Sequence, residues 1–464
     1  MPELTADVAR DLQARSASFV TEGRLPGAAV GVVYGDDLAW SAGIGLSDVG
    51  AGQLPRATTP YRIASVTKTF TGTAIMQLCD AGLLHLDDPA IAHVPELRRA
   101  ASPFGAIETV TIRRMLAHES GLASEPPGTD FSIPRYQGVA ERTLERAADI
   151  GTRIPSNLQQ KYSNLAYQLL GEIVARASGT PYPRYVNEAI LHPLGMSDTS
   201  FEPLGEALLA RRATGYSPRL FSDELGPAPL MPPMWAEGGL WSCVTDLARW
   251  ISFQLGAYRA PGAEPQVLPA GRLRDMHKPR YLGDDQWTQA WGISWYAVRR
   301  DTEIWIQHSG GLPGFSTNVC FDPKEQVGAI VLLNADANAA ELAMDLAAIA
   351  RDSVRGTAAA AAARLVPAPT PDEFRPLLGI YASPELGRFI RLEWRDGKLT
   401  FVDPDAATWR PTLTPTGDPD KFVVEPGFRE SGESVIFHRL ADGRVASVFL
   451  AAATFARMDR VLQG

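Results

Sequence analysis

The sequence contains almost no lysine. Its 44 basic residues include only six, Lys68, Lys161, Lys278, Lys324, Lys398 and Lys421, so arginine is the default cation and a well-placed lysine is informative. Cysteine is rarer still. Cys79, Cys243 and Cys320 are odd in number and widely spaced, which suits neither a disulfide framework nor a zinc pattern; they read as small buried hydrophobes. There is no basic excess: the net charge of −9 and pI near 5.4 exclude the usual nucleic-acid footprint. No apolar run approaches the roughly 18 residues of a spanning helix, so no membrane partner is expected. The longest, such as Ala329 to Leu333, read as buried strands. The start, Met1-Pro-Glu-Leu-Thr-Ala-Asp, has no basic region, apolar core or cleavage site of a signal peptide, and the expectation is a cytoplasmic protein. A Gly-x-Ser-x-Gly elbow is also missing, which removes the α/β-hydrolase reading.

Metal ligands are lacking too. His85, His93, His192, His277 and His438 are scattered. His118-Glu119 begins a zincin-like pair, but the second histidine is absent at the required spacing, and a structural loop role is expected. Neither a metal nor a cofactor is anticipated.

What is present divides the chain in two. Glu3 to Glu22 carries Leu4, Val8, Leu12 and Phe19 near helical spacing. Two short strands follow, Ala28 to Tyr34 and Leu38 to Ala42, around a turn at Gly35-Asp36-Asp37. The middle reads as helices between Pro/Gly-rich loops such as Ser124 to Pro134. Strands at Glu303 to Gln307, Asn318 to Phe321 and Gly328 to Leu333 come next, and a helix from about Ala339 to Val354 closes the unit. This suggests one sheet built from both ends, with a helical insertion, over residues 1–356. The alanine run Ala358 to Ala363 with Pro367, Pro369 and Pro371 is linker composition, taken as 357–371. Residues 372–464 turn all-β: Arg388 to Trp394 and Lys398 to Val402 flank Asp396-Gly397, and Val435 to Leu440 and Val445 to Leu450 flank Asp442-Gly443.

Three motifs carry chemistry. In Ser65-Val66-Thr67-Lys68 the serine opens a helical run (Phe70, Ala74, Ile75, Leu78 and Cys79) that Gly82 ends. A helix start favours developing negative charge on the serine oxygen. Lys68, one turn on, shares its face at about 5–6 Å between Cβ atoms and can take the serine proton; none of the other lysines has a serine three residues before it. Tyr162-Ser163-Asn164 lies on a loop before a helix that Gly179 ends. A phenol with a lowered pKa acts as a base beside a cation, and Asn164 both donates and accepts. The similar Tyr185-Val186-Asn187 reads as packing within a helix. His308-Ser309-Gly310-Gly311 follows a strand, where glycines admit a ligand's backbone and leave the Gly311 N–H to pair with that of Ser65 as an oxyanion hole.

In this order the three resemble the Ser-x-x-Lys, Tyr-x-Asn and Lys/His-x-Gly motifs of the serine β-lactamase and penicillin-binding-protein superfamily. The likeness is to its class C β-lactamase, DD-peptidase, D-aminopeptidase and esterase branch, over roughly residues 10 to 355. Leu116 to Leu122, His192 to Met196 and Gly238 to Ser242 are similar as well. Trp291-Gly292-Ile293-Ser294-Trp295 is similar to a family stretch with glycine where Ser294 stands. The resemblance implies an α/β (α+β) fold, an antiparallel sheet flanked by helices plus a helical subdomain. It also implies acyl transfer through Ser65, with Lys68 and Tyr162 moving protons. Asn164, His308, Ser309 and Gly310 would bind substrate, a small ester, amide or peptide.

The absent export signal favours an esterase, amidase, D-amino-acid peptidase or transacylase over a β-lactamase or DD-carboxypeptidase proper. A catalytically dead binding protein is the competing class, disfavoured by intact Ser65, Lys68 and Tyr162. Histidine at 308, where class C enzymes typically carry lysine, is expected to strengthen any preference for carboxylate-bearing substrates as pH falls toward 6. The C-terminal region resembles a lipocalin-like domain, though short for a closed eight-stranded barrel; it would cap the site or mediate homo-oligomerisation.

Overall fold

The computed structural model describes residues 4–458 apart from 128–139, 219–224, 229–234, 260–266, 285–286, 301–302, 357–369, 384–387, 396, 403–410, 426–431 and 451–452. Most of the expected linker over 357–371 and much of the Ser124 to Pro134 loop lie outside the described residues. Contacts divide the chain into two compact units. The first is Met1–Gly215, Ala228–Ala335 and Ala339–Thr357; the second joins Ala358–Gly464 with Tyr216–Pro227 and Asp336–Asn338.

The first unit is organised by an eight-stranded antiparallel sheet. Its strands run, in spatial order, Asp37–Gly45, Gly27–Tyr34, Val327–Leu333, Phe315–Asp322, Glu303–Leu312, Tyr296–Arg300, Gln289–Trp291 and Tyr281–Leu282. The two chain ends meet where Gly27–Tyr34 pairs with Val327–Leu333, Val30 opposite Val331. Both central strands are buried along their whole length, which explains their unbroken apolar sequences.

Pleat alternation assigns the faces. Ala29, Val33, Ile330 and Leu332 join the large core beneath the helix Val244–Gly256. Gly31 and Gly328 let that helix settle, since a Cβ on either would come within 2.5 or 2.6 Å of Val244 and Ile251. On the other face the helix Ala339–Val354 closes over the sheet, and the Tyr34 hydroxyl donates to the Ala350 carbonyl. The insertion between the sheet's halves supplies the helices Thr67–Asp80 and Asn164–Ser178. Among the described residues no helix is long and apolar enough to cross a membrane.

In the second unit the β region closes into an eight-stranded barrel in sequential order, sealed by Gly379–Ser383 pairing with Ala453–Arg457. The region, which reads as short for a closed eight-stranded barrel, closes nonetheless. Strands of four to eight residues suffice because neighbours in sequence are neighbours in space. An eight-stranded interior is also narrow enough for side chains to fill, here Tyr381, Ile390, Phe401, Phe422, Phe437 and Val448 among others.

Candidate active site

The chain leaves the short strand Tyr61–Arg62, makes one 3-10 turn at Ala64–Val66 and enters the helix Thr67–Asp80. Ala64 has φ +46°, a left-handed conformation that costs a non-glycine residue about 1 kcal/mol. It is held by what surrounds it. The Ile63 N–H donates to the Leu240 carbonyl at 3.0 Å, and the Thr317 hydroxyl donates to the Ile63 carbonyl at 3.0 Å. Ser65 thereby stands partly exposed at the head of a helix buried on nearly every side.

Lys68 is wholly buried. Its ammonium reaches Ser65 Oγ at 3.1 Å, Asn164 Oδ1 at 2.7 Å and the main-chain carbonyl of Glu237. Three acceptors match its three N–H groups. Burial drives its pKa far below the ordinary lysine value, opposed by the charges of Glu237 and Glu125. A buried amine close to Ser65 Oγ and easily deprotonated is what a general base requires.

Ser163 caps the helix Asn164–Ser178, its hydroxyl accepting from the Ala166 N–H at 3.0 Å and donating to the Ala123 carbonyl at 2.7 Å. The Ser163 N–H in turn donates to His118 Nδ1 at 3.1 Å. The His118 ring stacks on Tyr162 at 4.1 Å, with Trp291 edge-on at 4.8 Å. His118 is held neutral, its pKa pushed well down by burial and by Lys68 and His308. The expected structural role thus has a definite object, the placement of Tyr162. The phenol hydrogen-bonds Ser65, and Lys68 Nζ lies 5.0 Å from its ring centre. Its pKa, expected to be lowered, is instead raised, because desolvation outweighs the bond to Ser65. Tyr162 therefore stays a phenol and offers a proton. Glu125 accepts from Asn164 Nδ2 at 2.7 Å, which turns the amide oxygen toward Lys68.

His308 to Gly311 lie inside the strand Glu303–Leu312 rather than after its end; the ladder to Phe315–Asp322 continues through Gly311, opposite Ser316. Gly310 is pressed against the nucleophile's turn, where a Cβ would meet the Ile63 carbonyl at 2.2 Å and Thr317 Oγ1 at 2.5 Å. Gly311 is exposed with open space at its Cα. His308 Nδ1 lies 2.7 Å from the Ser309 carbonyl, to which only a protonated nitrogen can donate, so Nε2 is the unprotonated one. Burial and nearby Lys68 push His308 down to about 3, so it is neutral throughout the working range. The expected strengthening of carboxylate preference toward pH 6 loses its physical basis. The Ser309 hydroxyl is engaged by Tyr296 at 2.8 Å and Asn318 at 2.9 Å.

The structure gathers Ser65, Lys68, Tyr162, Asn164 and His308 into one cluster and sets Gly310 against it. It also brings in Glu125 and Glu237, which the sequence reading passed over. The signal for Glu237 was an acid in the apolar setting Trp235-Ala236-Glu237-Gly238-Gly239-Leu240-Trp241.

A central antiparallel sheet, a helical insertion and a serine-lysine pair at a buried helix start define the serine β-lactamase and penicillin-binding-protein class. The chain belongs to the beta-lactamase family, whose model matches residues 8–353. It is 29% identical over 341 residues to Protein flp of Staphylococcus aureus (strain COL), spanning 71% of this chain and 64% of that protein. It is also 29% identical over 310 residues to Beta-lactamase-like protein 2 of Dictyostelium discoideum, 64% of this chain and 54% of that one. The chain thus accounts for less than two thirds of the length of these relatives. Among solved structures, the octameric penicillin-binding protein homologue from Pyrococcus abyssi aligns over 97% of this chain and 99% of its own, with TM-score 0.67 and 21% identity. A class C beta-lactamase covers 74% of this chain and 95% of its own, at 0.61 and 18%. A D-stereospecific amidohydrolase from Streptomyces sp. covers 73% and 98%, at 0.61 and 21%.

Proposed function

We propose that the protein is a serine hydrolase that acts on small esters or amides without a carboxylate, including D-aminoacyl amides, through an acyl-Ser65 intermediate. The observation that carries this reading is the 3.1 Å contact between Ser65 Oγ and the buried Lys68 amine. In the proposed cycle Ser65 Oγ bonds to the substrate carbonyl carbon and its proton passes to Lys68. The N–H groups of Ser65 and Gly311 receive the negative oxygen. The Tyr162 phenol, hydrogen-bonded to Ser65, relays a proton to the leaving group, and water attacks the ester with the transfers reversed. Asn164, held between Glu125 and Lys68, orients the substrate and the base together. A neutral His308 gives no fixed charge for a substrate carboxylate, which supports β-lactam turnover that is weak at most.

Intact-mass labelling with a fluorophosphonate probe tests the reading. One adduct is expected on the wild type and none on Ser65→Ala, with turnover of a short-chain ester or D-amino-acid amide lost in the same variant. Residual turnover above about a tenth of wild type would assign the chemistry to another nucleophile.

A further inference from the structure

The two N–H groups assigned to the oxyanion belong to elements far apart in the sequence. Ser65 sits in the turn Ala64–Val66, and Gly311 lies on the strand Glu303–Leu312. The register of that strand with Tyr296–Arg300 ends at Gln307, while its ladder to Phe315–Asp322 runs on to Leu312. Along this freed stretch Gly310 meets the nucleophile's turn. A Cβ there would fall 2.2 Å from the Ile63 carbonyl oxygen, 2.5 Å from Thr317 Oγ1 and 3.1 Å from Ala64 Cβ. Two backbones that approach so closely need a tie that holds them at one separation.

Thr317 spans them. It stands opposite Gly310 on one side and Leu332 on the other, in a strand buried along its whole length. Its side chain is 1% exposed. The hydroxyl donates to the Ile63 carbonyl at 3.0 Å, with a second, longer contact to the Gly310 carbonyl at 3.4 Å. Ile63 precedes Ser65 by two residues and Gly310 precedes Gly311 by one. A single hydroxyl thus touches the chain just ahead of both donors. The Ile63 carbonyl also accepts from the Val66 N–H at 3.1 Å, which closes the turn that carries Ser65; its two lone pairs allow both bonds. Threonine suits the position, because its branched Cβ restricts χ1 and so the direction of the hydroxyl.

We propose that Thr317 is a positioning residue for the oxyanion site: its hydroxyl fixes the separation of the Ser65 and Gly311 N–H groups. It touches no substrate and moves no proton. Without the hydroxyl, the Ile63 carbonyl loses a donor and the turn shifts against the strand. The two N–H groups then no longer converge on one oxygen, and small misplacements are costly in a preorganised site. This inference rests on the serine-hydrolase reading, and the test separates the two.

The measurement is the rate of Ser65 labelling by a fluorophosphonate and by its P=S analogue, in the wild type, Thr317→Val, Thr317→Ala and Thr317→Ser. Attack by Oγ on phosphorus drives negative charge onto the P=O oxygen or the P=S sulfur, and fluoride then leaves. Sulfur is larger and a weaker hydrogen-bond acceptor, so it draws less on the two N–H groups. The intrinsic difference between the probes cancels when the ratio of P=O to P=S rates is compared between proteins. Thr317→Val and Thr317→Ala remove the hydroxyl, and either should lower that ratio about tenfold, chiefly through slower P=O labelling. Thr317→Ser keeps the hydroxyl and should keep the ratio close to wild type. A role confined to stability would slow both probes by one factor. An unchanged ratio in whichever of Thr317→Val and Thr317→Ala folds therefore overturns the inference, as does an equal fall in Thr317→Ser. No labelling of the wild type by either probe overturns the hydrolase reading itself.

Discussion

His308 shows how one side chain's surroundings set what a site can bind. On a surface it would titrate near neutrality and gain charge as the solution became acid. Here its Nδ1 faces the Ser309 carbonyl, Trp291 and Tyr296 pack against its ring, and Lys68 lies nearby. Each neighbour except the carbonyl penalises a second proton, and the pKa falls to about 3. The sign is therefore opposite to the usual histidine switch: no charge appears on acidification above about pH 4. For a matched neutral and anionic ester pair, the ratio of kcat/KM should stay flat between about pH 5.5 and 8.5 once substrate ionisation is accounted for. Cephalosporin turnover should stay slow throughout. A ratio that rises steeply toward acid would show that His308 is charged in the working enzyme.

Between elements, the nucleophile helix is seated by a pair of small residues. Ser294 keeps a glycine-like φ of +60°. Its hydroxyl lies 2.8 Å from that of Tyr167, which also reaches the Leu116 carbonyl at 2.7 Å. Room for Ser294 comes from Gly72 of the helix Thr67–Asp80, where a Cβ would fall 2.1 Å from Ser294 Oγ and 2.7 Å from its Cβ. Gly72→Ala should therefore cost about 1–3 kcal/mol through overpacking. Gly72→Ala with Ser294→Gly should recover most of that loss, since alanine favours the helix interior and glycine relieves the left-handed residue. Thermal unfolding of the four proteins of this double-mutant cycle gives the coupling directly. Additive losses would mean that the two positions do not press on each other.

At the scale of the molecule, each compact unit has its own apolar interior, the large cluster around the sheet and the filled barrel. Separate cores unfold separately. Scanning calorimetry of the whole chain should show two transitions, and a chain ended at Gly356 should lose the one that belongs to the barrel. The second unit also includes Tyr216–Pro227 and Asp336–Asn338, which that truncation leaves without the barrel. We propose that the barrel serves self-association. Light scattering should give a smaller particle for the shortened chain beyond the mass removed, and an unchanged subunit number would end that proposal.

Much of this was legible from local pattern. The helix Ala339–Val354 and the strand pairs around Asp396-Gly397 and Asp442-Gly443 follow from periodicity and turn chemistry, which act over a few residues. The Ser65–Lys68 pair was legible for the same reason, because one helical turn sets its spacing. Boundaries were less secure: the strand Glu303–Leu312 runs through two glycines that sequence reads as its end, and cross-strand pairing with Phe315–Asp322 carries it on. Closure of the barrel depends on Gly379–Ser383 meeting Ala453–Arg457, a contact that no local signal encodes. The charge states of the site belong to tertiary structure altogether. Whether Lys68 is an amine, Tyr162 a phenol or His308 neutral depends on which groups are removed from water and which charges they meet there. The main-chain carbonyl of Glu237 reaches Lys68 across the fold, and only packing brings the two residues into the same dry interior.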